Sequence, residues 1–128
     1  MRNYLFILLA SALLFGACKK EEPISKNTSM TLTGDWYMTD YMAFTPQPIV
    51  LTYGDIIWSF DAVNQTITIQ NSTNNLQPSG TYTYTNTATQ LTIAFTGYSQ
   101  TFDCSFANGK MTLSDNPELD GPVLVFSR

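Results

Sequence analysis

The stretch Ile56-Ile57-Trp58-Ser59-Phe60-Asp61-Ala62-Val63-Asn64-Gln65-Thr66-Ile67-Thr68-Ile69-Gln70 decides the fold. Ile56, Trp58 and Phe60 fall at every second position. Asp61 to Asn64 then supplies turn residues that bond to their own backbone. Ile67 and Ile69 follow, alternating with Thr66, Thr68 and Gln70. A period of two puts one apolar face and one polar face on an extended strand. Two such runs across a short polar turn predict a hairpin.

The same rhythm continues in both directions. Downstream, Tyr82 and Tyr84 alternate with threonines, Leu91, Ile93 and Phe95 with Thr92 and Ala94, and Phe102, Cys104 and Phe106 with Asp103 and Ser105. Asn108-Gly109 is a strong two-residue hairpin signal and is followed by Met111 and Leu113, with a last apolar strand over Val123 to Ser127. Upstream, Trp36 to Tyr41 makes the first strand. About eight short strands joined in order by turns imply an all-β sandwich or barrel. Each strand has a single apolar face, so one shared core must serve them all, and closing the sheet removes its exposed edges. An eight-stranded antiparallel up-and-down barrel is the simplest solution. The density of β-branched residues and the period exclude a helical bundle.

Composition narrows the function. The chain has 128 residues, a net charge of -4 and only 12% charged residues. That length, less an export segment, supports one domain. No basic stripe is present, so nucleic-acid binding has no electrostatic footprint. Histidine is absent, which removes Ser-His and Cys-His nucleophile activation and His-ligated metals. Cys104 falls on the apolar face between Phe102 and Phe106, where a thiol is inert. The acidic residues sit mostly at strand ends and turns. The densest acidic loop, Asp115 to Gly121, lacks the alternating ligand spacing of a calcium-binding EF-hand. The chain is read as a non-enzyme, with no cofactor and no metal, and as a monomer.

The first residues carry a different message. Arg2 is followed by an apolar run from Tyr4 to Phe15, too short to span a bilayer but the length of a signal-peptide core. Leu14-Phe15-Gly16-Ala17-Cys18 then resembles the bacterial lipobox, which implies cleavage after Ala17 and acylation of Cys18. Ordinary signal-peptidase cleavage is the alternative, and bulky Phe15 disfavours it. Phe15 also departs from the leucine that the lipobox prefers there. Two or three acyl chains anchor stably, at about 0.8 kcal/mol per buried methylene. Lys19-Lys20-Glu21-Glu22 is similar to the charged tether of Bacteroidota lipoproteins, which implies the outer face of the outer membrane, with the periplasmic face as the alternative. Residues 1–17 are thus read as a signal peptide, 18–30 as a lipidated flexible tether and 31–128 as the barrel domain.

Leu32-Thr33-Gly34-Asp35-Trp36 places Gly-x-Trp at the start of the first strand. With Gly80-Thr81-Tyr82, Asn108 to Leu113 and the terminal Leu124-Val125-Phe126-Ser127-Arg128, it resembles the lipocalins, and more closely the small lipocalin-like lipoproteins of the Bacteroidota. The resemblance implies that Trp36 plugs the closed end of the barrel and that Arg128 packs across it as a barrel-floor pair. The alternative is plain core for Trp36 and a solvated terminal charge for Arg128. The resemblance also implies a lid over the other end, from Phe44 to Gly54, with Ile49, Val50 and Leu51 sealing the mouth. A surface loop or an additional strand is the alternative.

An eight-stranded barrel has room for its own side chains or for one small ligand. The first reading is a membrane-anchored binding module that holds a small hydrophobic ligand in its lumen, where the ligand would meet Trp58, Phe60, Tyr82, Tyr84, Phe95 and Phe102. A barrel filled by these same residues would instead act through its surface, on a protein or glycan partner.

Overall fold

The computed structural model describes residues 32–72 and 75–128. The segment read as an export signal, Cys18 and the Lys19 to Glu22 run lie outside the described residues. Eight strands follow in chain order: β1 (Gly34–Met42), β2 (Ile56–Asp61), β3 (Thr66–Asn71), β4 (Gly80–Asn86), β5 (Gln90–Phe95), β6 (Tyr98–Ala107), β7 (Lys110–Ser114) and β8 (Val123–Ser127). Each pairs antiparallel with the next, and β8 returns to β1, closing the barrel. The only helical element among the described residues is a single 3-10 turn at Pro117–Leu119.

The alternation in sequence becomes the inside and outside of the wall. Trp36, Trp58, Ile67, Ile69, Leu91, Ile93, Phe102, Met111, Leu113, Leu124 and Phe126 are buried in one cluster. Threonines line much of the outer wall, and some pair across strands: Thr68 with Thr81 at 3.0 Å and Thr92 with Thr101 at 2.8 Å. Turn chemistry sets the register. Asp61 accepts hydrogen bonds from the Val63 and Asn64 amides and from the Asn64 side chain. These bonds, the Asn64 side chain first, hold the Asp61 carboxyl below its ordinary range. Asn108 and Gly109 take φ of 52° and 74°, the backbone a two-residue hairpin turn needs.

One strand breaks the alternation. Continuing the rhythm of Trp36 and Met38 would turn Asp40 into the core. Instead the β1–β8 register shifts between Met38 and Asp40. This β-bulge at Thr39 restores the pattern one residue later. Asp40 then lies opposite outward Val125, and Tyr41 opposite buried Leu124. Tyr41 joins the core edge, and burial raises its phenol pKa.

Candidate functional site

The barrel has two unlike ends. The start of β1 and the β2–β3, β4–β5 and β6–β7 turns lie at one end, with Arg128. The β1–β2, β3–β4, β5–β6 and β7–β8 connections lie at the other.

The first end is closed. Leu32 is 1% exposed beneath the strands, and its carbonyl accepts a hydrogen bond from the Tyr84 hydroxyl at 3.3 Å. The Arg128 guanidinium carbon lies 4.3 Å from the centroid of the Trp36 ring. Nη2 of Arg128 also donates to the Thr33 carbonyl at 2.7 Å. Arg128 therefore ties down the segment that leads into β1. Phe106, expected inside, is 44% exposed. It lies opposite buried Met111 near the end of β6, and its ring meets Trp36 edge-on with centroids 5.7 Å apart. Its side of the wall matches the alternation, but it sits at the rim, where part of the ring meets water.

The lumen is occupied by the residues expected to meet a ligand. Trp58 is the hub, with ring centroids at 4.8 Å to Phe126, 6.2 Å to Phe102 and 6.4 Å to Phe60. Phe60 meets Tyr84 edge-on at 5.3 Å. Phe95 meets Tyr82 at 4.8 Å. Trp58 and Phe102 are fully buried, and Phe60, Tyr84 and Phe95 are no more than 5% exposed. Tyr82 is half-buried, and its hydroxyl lies 3.1 Å from the carbonyl oxygens of both Pro78 and Ser79. A Cβ at Gly80 would come within 2.9 Å of that hydroxyl, so glycine makes room for the ring. Cys104, also buried, has its thiol pushed up to about 12 by desolvation.

The second end is covered from two loops. Leu51 of the β1–β2 loop packs on the core, as expected, but Val50 is 82% exposed. Ile49 is half-buried. The β3–β4 loop supplies the remainder through Leu76, packed on the core, and buried Gln77. Asn71 holds that loop, its side-chain amide donating to the Gln77 carbonyl at 2.6 Å and to Ser79 Oγ at 2.9 Å. Sequence rhythm could not find Leu76, because it lies in a loop with no period.

Among the depressions on the surface outside the lumen are two formed by described residues. One, of about 490 Å³, lies on the outer wall of β4, β5 and β6 beside the β2–β3 turn. Hydroxyl and amide side chains such as Gln65, Thr83, Thr92 and Ser99 line it. The other, of about 300 Å³, opens between the β1–β2 and β7–β8 loops, with Met42, Phe44, Asp120 and Val123 in its walls. Compared with protein-family models, with curated proteins and with solved structures, the chain gives no match.

Proposed function

We propose that this chain is an exported, lipid-anchored module whose barrel is a rigid mount and whose outer surface does the binding. The observation that carries the reading is the filled lumen: the aromatic residues available to a guest are buried against one another. An interior at crystal-like density leaves no room for a ligand without displacing core side chains. This favours a surface-acting barrel with a protein or glycan partner over a carrier of a small hydrophobic ligand. The anchor belongs to the same proposal. Cys18 carries the lipid, and the Lys19 to Glu22 run directs the chain to the outer membrane, displayed at the surface. The chain comes into the fold at Leu32, on the floor. Attachment on that side leaves the opposite end of the barrel accessible to a partner.

Two measurements test this. Mass spectrometry of the N-terminal peptide from the native host should give Cys18 with a diacylglyceryl group. An unmodified cysteine, or cleavage elsewhere, would remove the anchor. Titrating a long-chain fatty acid into the full chain should leave the combined emission of Trp36 and Trp58 unchanged. Saturable quenching at one equivalent would return the carrier reading.

A further inference from the structure

Exposed apolar side chains are ordinary when scattered, and informative when they gather at one place with a common charge. Here Met42, Phe44, Val50 and Leu119 are 55%, 90%, 82% and 76% exposed. All four belong to the β1–β2 and β7–β8 connections or their edges, at the end opposite the floor. Asp55, Asp115, Glu118 and Asp120 lie in the same connections. The two cations among the described residues, Lys110 and Arg128, are both at the floor end. The distal end is therefore apolar and anionic, with no positive side chain among its described residues.

The cleft between those loops combines both properties within a volume of about 300 Å³: Met42, Phe44 and Val123 supply apolar wall, and Asp120 a carboxylate. Its shape is fixed by Gly121. A Cβ there would fall 1.4 Å from the Asp115 carbonyl oxygen, and the Gly121 amide donates to the Asn116 carbonyl at 3.1 Å.

We propose that this cleft docks a cationic, amphipathic segment of a partner protein. An arginine or lysine of the partner lays its aliphatic stem along Met42, Phe44 and Val123 and places its charge at Asp120. Long cationic side chains carry both parts, an apolar stem and a charged head. The anionic end steers the approach, and the apolar wall holds what arrives. The inference rests on the surface-acting reading above and names the surface and the kind of partner.

The test uses the full chain in phosphatidylcholine nanodiscs and three labelled ten-residue peptides read by fluorescence anisotropy. One alternates Arg with Leu, one Glu with Leu, and one Arg with Ser. The Arg–Leu peptide should bind, more weakly as salt rises, and the other two should not. Phe44→Ser and Asp120→Asn should each weaken binding about fivefold or more. Both side chains are exposed, and asparagine tolerates the positive φ of 59° at position 120. Val63→Ser, at a 92% exposed position on the floor end, should change nothing. Failure of the Arg–Leu peptide to bind, equal binding of the Glu–Leu peptide, or equal sensitivity to Val63→Ser would overturn the proposal. Failure here with tryptophan emission still indifferent to fatty acid would sink this inference alone. Fatty-acid quenching would sink the surface-acting reading beneath it.

Discussion

Replacing Phe102 by alanine tests whether the lumen is core or pocket. Phe102 is fully buried, lies opposite buried Leu91 across β5, and meets the Trp58 ring edge-on at 6.2 Å. In a close-packed interior, truncating phenylalanine to alanine costs about 3–5 kcal/mol, from lost transfer energy and from the cavity left behind. Within that, the edge-to-face pair contributes about 0.5–1.5 kcal/mol. A domain of roughly 100 residues has about 5–15 kcal/mol in all. With a urea slope of about 1.5 kcal/mol per molar, the unfolding midpoint should fall by about 2–3 M. Phe44→Ala, at a 90% exposed position, should shift it by less than ~0.5 kcal/mol. Should the alanine variant not fold, Phe102→Leu should still show a loss of about 1–2 kcal/mol. The variant should also acquire what the parent lacks, since a dry apolar cavity accepts a molecule such as benzene. A loss under ~1 kcal/mol for Phe102→Ala would mean that the ring has little packed against it and that the lumen is not a close-packed core.

Other perturbations probe separate parts of the account. Arg128→Ala should cost about 1–2 kcal/mol in urea unfolding, from the contact with Trp36 and the bond to Thr33, and Arg128→Lys should restore only part. Gly121→Ala should destabilise the chain and perturb amide resonances over residues 115–123, because the new Cβ meets backbone rather than a yielding side chain. Burial keeps the Cys104 thiol protonated in the folded state up to about 12, whereas the unfolded chain ionises it near 9. Its contribution to stability is therefore complete below about pH 9 and declines as pH rises from there toward 12. The urea midpoint should drop between pH 8 and pH 10.5, and Cys104→Ala should flatten that drop. Burial of Tyr41 and Tyr84 acts in the same direction, so some slope should persist in the variant.

The strands were legible because a one-sided sheet repeats its burial every two residues, and Trp58, Ile67, Ile93 and Leu113 each landed inside as their positions required. The Trp36–Arg128 contact followed from a resemblance at the two ends of the chain, not from any periodicity. What escaped the sequence had no period to carry it. Nothing in Met38-Thr39-Asp40-Tyr41 announces a bulge; only the need to keep Asp40 out and Tyr41 in, once β8 is beside it, selects one. Alternation gave the side of Phe106 but not its depth, so a residue at the rim was counted as core. The cover at the distal end came from Leu76 and Gln77 as well as Leu51, because loop residues are placed by the surfaces beneath them. The distal cleft was invisible for the same reason. Phe44 and Asp120 are far apart in sequence and become neighbours only when β8 closes on β1.

Whether the barrel is filled by its own side chains and works from its surface is decided by native mass spectrometry of the full chain, released gently from the membrane of its host. A filled barrel should give the mass of the chain plus its covalent acyl groups, with nothing further lost on collisional activation. A stoichiometric small molecule that stays bound in the gas phase, and leaves only as the barrel unfolds, would contradict it.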